Sequence, residues 1–257
     1  MSNRVAFKAF TGGVTYEPET LALIARFTTP ATDGLKTAIN NAIIDLKAGG
    51  YWAVAEHIHK FNMLAIDQCL WDWAGNWNPS LVGTPVFTAK QGITSNAGGY
   101  ISSNFPLNAG SQYVRDSATW FNGKYNIVSI GNDADGYFDN VALYGVHMQI
   151  TGTYHRFNSL GSNPTAYPMQ NGYNILRRVD NSNYHFYNGI WQTVTVNSVA
   201  LNGGIPCMGI VMDETGVGFW ANTSTHHTDA KFAGLSEADC DAIRVIFETF
   251  DAAVAAL

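Results

Sequence analysis

Tyr173-Asn174-Ile175-Leu176-Arg177-Arg178-Val179, then Asp180-Asn181-Ser182-Asn183, Tyr184-His185-Phe186-Tyr187, Asn188-Gly189 and Ile190-Trp191-Gln192-Thr193-Val194-Thr195 form the stretch on which the fold turns. Three runs rich in aromatic and β-branched residues are separated by two clusters of turn formers. Asn-Gly favours a two-residue type I′ turn, because both residues tolerate positive φ. The stretch predicts three antiparallel strands in a meander.

The same grammar extends outward on both sides. Between Asn78-Pro79 and about residue 233, short runs of Val, Ile, Thr, Tyr and Phe alternate with Gly, Asn and Asp. Strands are expected at 84–89, 99–103, 117–122, 126–131, 136–144, 146–152, 172–179, 183–188, 191–197, 205–212, 216–221 and 228–233. So many strands without alternating helices imply two packed antiparallel sheets rather than a parallel α/β sheet.

Helical signals flank this region. Thr32 or Asp33 can cap a helix in which Leu35, Ile39, Ala42, Ile43 and Leu46 recur at helical spacing, ended by Gly49-Gly50. A second helical segment is expected from Tyr51, with Trp52, Ala55 and Ile58 on one face, and a third from Met63 to Trp73. Ser236-Glu237-Ala238-Asp239 opens a last helix over 236–254, with Ile243, Ile246, Phe247 and Phe250 as its apolar face. Residues 1–20 read as an extended arm, because Thr11-Gly12-Gly13 and Glu17-Pro18 interrupt helix there; such an arm docks on a neighbouring subunit or stays loose. The expected organisation is an arm (1–20), a helical segment (21–78) on or beside the sandwich, a β-sandwich (79–235) and a C-terminal helix (236–257).

Composition limits the function. The chain has 257 residues, of which 13% are charged and 46% hydrophobic, with 25 Gly, 23 Asn and 33 aromatics. The charged share is about half the usual 25% or so. Net charge is −6, and the acidic excess lies in residues 206–257. The absence of a basic stripe argues against a nucleic-acid partner. No 18-residue apolar run is present, so no membrane insertion is expected, and the first residues do not read as a signal peptide. Cys69, Cys207 and Cys240 have no metal or redox spacing and read as buried free thiols.

In their order along the chain, four pieces resemble a known family. They are Leu23–Pro30 followed by Lys36–Asn40 and the helix to Gly50; Tyr51-Trp52-Ala53; Gly92–Asn96 with Gly99–Phe105; and the Arg178–Gly189 hairpin joined to Gly234-Leu235-Ser236-Glu237. The chain resembles the concanavalin A-like lectin/glucanase proteins of the laminin G-like jelly-roll kind, in the version carried by tailed-bacteriophage and prophage virions. The resemblance implies a mostly β, antiparallel sandwich with N-terminal helices and a C-terminal helix. It also implies a non-enzymatic structural protein on the virion surface, made in the host cytoplasm. Its partners would be other virion proteins, copies of itself and host surface glycans. A carbohydrate-binding receptor module and a glycan-degrading enzyme are the alternatives.

Retaining glycosidases need two carboxylates about 5–5.5 Å apart, which a Glu-x-Asp-x-Glu strand would supply. Glu17, Glu19, Glu56, Glu214, Glu237 and Glu248 form no such pattern, and Asp213-Glu214, being adjacent, would point to opposite faces of a strand; no catalytic residue is expected. Asp133, Asp135 and Asp139 could offer oxygens to Ca²⁺, although an Asp-Gly turn explains Asn132–Gly136 as simply. His226-His227 are adjacent, and His57 and His59 are two apart on an expected helix; both spacings suit zinc poorly. Rings beside amides can stack on a sugar while the amides bond its hydroxyls. Tyr137, Asn140, Tyr187, Trp191 and Trp220 are therefore the expected ligand-binding residues.

Overall fold

A computed structural model describes residues 15–96, 99–107, 113–127, 134–138, 144–149, 154–160, 163–164, 169–199, 204–212, 218–221 and 224–257. The described residues include four α-helices: α1 (Pro18–Ile24), α2 (Asp33–Ala48), α3 (Ile66–Cys69) and α4 (Glu237–Ala255). The first strands are β1 (Ala55–Lys60), β2 (Ser80–Gly83), β3 (Val86–Thr88), β4 (Gly92–Thr94), β5 (Gly99–Ser102) and β6 (Ala118–Tyr125). They are followed by β7 (Ala134–Phe138), β8 (Tyr144–Gln149), β9 (Tyr154–Leu160), β10 (Asn163–Pro164), β11 (Gly172–Arg178) and β12 (Asn183–Tyr187). The last are β13 (Trp191–Thr195), β14 (Cys207–Met208), β15 (Ile210–Met212), β16 (Gly218–Ala221) and β17 (Thr225–Phe232).

Among the described residues the strands form two sheets. One runs β13-β12-β11-β6-β17-β4-β3, with β1 also paired to β17; the other runs β10-β9-β8-β7-β14-β5-β2, with β15 and β16 attached. Pairing is antiparallel apart from β15 against β7. Alternation along the strands builds two cores. Leu176, Tyr184, Phe186, Ala118 and Trp120 point between the sheets and pack with Phe105, Tyr113, Tyr137 and Phe157. Ile175, Phe121, Ala230 and Phe232 point the other way, onto Leu35, Ile39, Ile43 and Leu46 of α2 and Ile243, Phe247 and Phe250 of α4. Each such fully buried Leu, Ile or Phe contributes about 1.5–3 kcal/mol. Helices thus cover the outer face of the first sheet, while the second sheet covers its inner face.

The deciding meander is present as β11–β12–β13, paired Leu176↔Phe186 and Tyr184↔Val194. Its first turn is held by Asp180 Oδ1, which accepts from Ser182 N and Asn183 N, both at 2.7 Å. Its second turn differs from expectation. Tyr187 pairs with Trp191, leaving three loop residues, and only Gly189 has positive φ, at 105°; a type I′ turn needs two such residues. Both long helices are capped as the sequence suggests. Thr32 Oγ1 accepts from Leu35 N at 3.2 Å, and Ser236 and Asp239 exchange reciprocal capping bonds at 3.1 Å.

Several expectations are corrected. Pro18 does not interrupt helix; it opens α1 at the first position, where its missing N–H costs nothing. The segment from Tyr51 makes only a 3₁₀ turn (Tyr51–Val54) and then becomes β1, because pairing with β17 supplies hydrogen bonds that override local propensity. The expected third helix shrinks to α3. Beyond it, buried Asp72 accepts backbone N–H bonds from Ile58, Ala74, Asn76 and Trp77 at 2.8–3.0 Å, which fixes a loop where a helix was expected. The described part of 117–131 contains one strand, β6, and Gly209, at φ 89°, divides 205–212 into β14 and β15. Strands β2, β9 and β10 fall outside the expected ones, while β4 falls within the Gly92–Asn96 piece that carries the family resemblance. No helix among the described residues is long and apolar enough to cross a membrane.

Candidate functional site

The chemistry of this protein gathers around β17, Thr225-His226-His227-Thr228-Asp229-Ala230-Lys231-Phe232, of which every residue is buried. Opposite β6, His226 pairs with Lys124 and Thr228 with Gly123, so His227 is the extra residue of a bulge. The bulge changes the alternation. His226, Asp229 and Lys231 meet groups between the sheets, whereas His227 and Thr228 meet groups beneath α4. Gly123 permits this, since a Cβ there would run into the His227 ring.

Between the sheets, Asp229 is the centre. Its Oδ2 lies 3.0 Å from His57 Nε2 and 3.5 Å from His59 Nδ1. Its Oδ1 accepts from Trp120 Nε1 at 2.6 Å and from Lys231 Nζ at 2.9 Å. His57 and His59 stack with ring centroids 4.4 Å apart. Their spacing suits zinc poorly on a helix, but on β1 it places both rings on one face. Burial opposes ionisation of Asp229, yet Lys231 and His57 hold it well below the usual carboxylate range. Burial, then Lys231, push His57 down to about 3, so its ring is neutral. The ligating atoms of His57, His59 and Asp229 lie within 4.8 Å of one another. A divalent ion does not fit there: the Lys231 ammonium is 2.9 Å from Asp229 and 3.5 Å from His57 Nε2, and already supplies the positive charge.

A second pair lies nearby. Asp135 Oδ2 is 2.5 Å from Lys124 Nζ and accepts from Asn122 Nδ2 at 2.7 Å; Oδ1 accepts from Gly209 N at 2.5 Å. Asp135 is fully buried. Its environment is that of an internal ion pair rather than a calcium loop, because both oxygens already have protein partners and the cation is a lysine. Asp133 and Asp139 lie outside the described residues.

Beneath α4 the third cluster centres on Asp251. Lys60 Nζ is 2.6 Å from Oδ1, to which Asn62 Nδ2 also donates at 2.8 Å. Tyr173 OH donates to Oδ2 at 2.7 Å, and His227 Nδ1 is 3.1 Å away. Lys60 also reaches Tyr173 OH and Thr228 Oγ1. Burial opposes the charge on Asp251, but Lys60 and His227 outweigh it and keep the carboxyl ionised.

The expected ligand residues fare differently. Tyr137 is 2% exposed; its ring packs in the inter-sheet core against Gly204, where a Cβ would not fit. It therefore lacks the exposed ring face expected of it. Trp220 lies on β16, its backbone paired to Val211, and Asn140 lies outside the described residues. Tyr187 and Trp191 do come together, half-buried at the β12–β13 end of the sheet, with ring centroids 5.2 Å apart. Trp191 Nε1 donates to Asp241 Oδ2 at 3.3 Å, and the Arg244 guanidinium sits 5.3 Å from the Tyr187 ring. Asn188 and Gln192 are bonded to each other at 3.1 Å, with Gln192 paired to Phe186 on the inter-sheet face, away from the two rings. Sequence reasoning missed His57, His59, Asp229, Lys231, Lys60 and Asp251. The signal was present: ionisable residues alternate in both His57-Ile58-His59 and Asp229-Ala230-Lys231.

The structure is similar to two solved structures. Trypanosoma rangeli sialidase matches with a TM-score of 0.51 at 11% identity, over 85% of this chain; the chain spans 39% of that protein's length. Domain 4 of AbnA, a GH43 extracellular arabinanase from Geobacillus stearothermophilus solved with arabinotriose, matches with a TM-score of 0.48 at 14% identity, over 75% of this chain and 98% of that one. No protein-family model matches the sequence, and no curated protein does. The sheets and helices define an antiparallel β-sandwich protein with a few helices, one of them C-terminal.

Proposed function

We propose that this protein is a non-enzymatic β-sandwich that contacts glycans through Tyr187 and Trp191, and that it serves as a structural component of a tailed-phage virion. The observation that carries the glycan contact is the ring pair itself. Two half-buried aromatics lie side by side, bordered by the charges of Asp241 and Arg244 of α4. Such a surface offers an apolar platform for a sugar face and polar groups for its hydroxyls. Recognition rather than hydrolysis is supported by the buried acids. A glycosidase acid must hold a proton and reach the scissile bond, whereas Asp135, Asp229 and Asp251 each face a lysine inside the protein. The virion role is supported by the order of the sequence pieces that resemble the phage family. Other virion proteins, further copies of this chain and host glycans are the partners this role entails.

Glycan-array and host-cell binding by the wild type and Trp191→Ala tests the reading. Wild-type binding that weakens about tenfold in the variant is expected for a lost aromatic platform. Equal binding by both proteins, or none by either, contradicts it. The virion role predicts stoichiometric co-purification with particles.

A further inference from the structure

The three buried charge clusters are alike in chemistry but not in access. Between the end of β6, the chain after β1 and the C-terminal end of α4 lies a cavity of 360 Å³, lined by Asn62, Lys90, Gln91, Tyr125, Asn126 and Asp251. That volume suits a small ligand. It lies about ten residues along α4 from Asp241, roughly 15 Å from the contact with Trp191, and is a separate place on the molecule.

Three features mark it as built. First, Tyr125 is 38% exposed, and one face of its ring stacks on His227 with centroids 4.3 Å apart; the stack fixes the ring on the cavity wall. Second, two lining residues hold left-handed backbone without being glycine, Lys90 at φ 66° and Asn126 at φ 52°. That conformation is uncommon for Lys in particular, and such outliers concentrate where geometry serves a ligand. The Lys90 conformation is secured by its N–H, which donates to Met63 O at 2.7 Å. Third, Asn62, which lines the cavity, is 1% exposed, yet its Oδ1 has no hydrogen-bond partner. Unsatisfied buried polar atoms are costly unless a ligand or water meets them.

We propose that this cavity binds one sugar ring, stacked on Tyr125 and hydrogen-bonded through its hydroxyls to Asn62, Gln91 and Asn126, with Lys90 at the mouth. The ligand class follows from the lining: an aromatic face with three amides matches a ring that is apolar on its faces and hydroxylated around its rim. In that choice of ligand the inference rests on the glycan reading above, while its location does not.

The test is a titration of the full chain with D-glucose, D-galactose, D-mannose and N-acetyl-D-glucosamine, followed by amide chemical shifts. Wild type, Tyr125→Ala, Asn126→Gly and Trp191→Ala are compared. Asn126→Gly removes the amide while keeping a residue that accepts positive φ, so loss of fold does not confuse the result. Saturable shifts around Tyr125 and Ala255 are expected with at least one sugar, weakened about tenfold in Tyr125→Ala and more modestly in Asn126→Gly. No saturable shift with any of the four sugars overturns the cavity site, and leaves array binding through Trp191 standing on its own evidence. Binding lost only in Trp191→Ala assigns the sugar to the ring pair and also overturns the cavity site.

Discussion

The two sides of β17 carry the same kinds of groups in different settings. Towards the second sheet, Asp229, Lys231, His57 and His59 are sealed, with side-chain exposures of 1% or less. Towards α4, Asp251, Lys60, His227 and Tyr173 form an equally dense network, but Asp251 keeps 6% exposure and borders a cavity. One strand supplies both clusters because the bulge at His227 reverses its alternation. Neutralising charge inside a sandwich and presenting polar groups to a ligand thus use the same residue types. What separates them is whether water can reach the carboxylate.

Removing the two central carboxylates should separate these settings most sharply. Asp229→Asn leaves Lys231 without its counter-ion in a dry core and should cost about 3–5 kcal/mol. Asp251→Asn, beside the cavity, should cost less, because water can solvate the stranded Lys60. Urea denaturation of both variants measures the difference, and equal losses would break the distinction.

Acid should act next. His57 and His226 are pushed down to about 3 by burial first, then for His57 by Lys231, and for His226 by Lys124 and His227 against the opposing pull of Asp135. The unfolded chain takes up these protons near 6.5 while the folded chain does not, so their contribution is complete above that pH and is lost as pH falls towards 3. The expected slope is roughly 1.4 kcal/mol per pH unit for each ring. Asp229 and Asp251, held low by lysines, extend the loss below the ordinary carboxylate range. Stability measured between pH 7 and pH 4 should therefore decline steadily, and a flat profile would contradict neutral buried rings.

A smaller effect is confined to the helix side. Gly123→Ala places a methyl against the His227 ring and should cost about 1–3 kcal/mol by overpacking, visible as a lower midpoint in thermal unfolding. Smallest of all, native thiol labelling should be negligible. Burial pushes Cys69 and Cys207 up to about 12, and whichever labels first as denaturant is added reports which core opens first.

Much of the sandwich was legible because its signals are local. The β11–β13 meander, the Thr32 cap and the Ser236-Asp239 capping box depend on residues close in sequence. Strand β1 was not legible, because Tyr51–Lys60 has no strand grammar of its own and extends only by pairing with β17, about 170 residues later. Reading it as helix also hid the shared face of His57 and His59. Among the binding residues, Tyr187 and Trp191 could be paired in advance because one hairpin joins them. Tyr137 could not be told from a surface ring, since what buries it is the opposite sheet. The Tyr125 cavity is assembled from four separate segments, and no spacing announces it.

Recognition without cleavage is tested most directly by incubating the wild-type protein with immobilised polysaccharides and measuring retained protein and newly formed reducing ends in the same wells. Retention on at least one polysaccharide with no new reducing ends is the predicted result. Reducing ends that accumulate in proportion to protein and time would contradict it, and would make the protein a glycan-degrading enzyme.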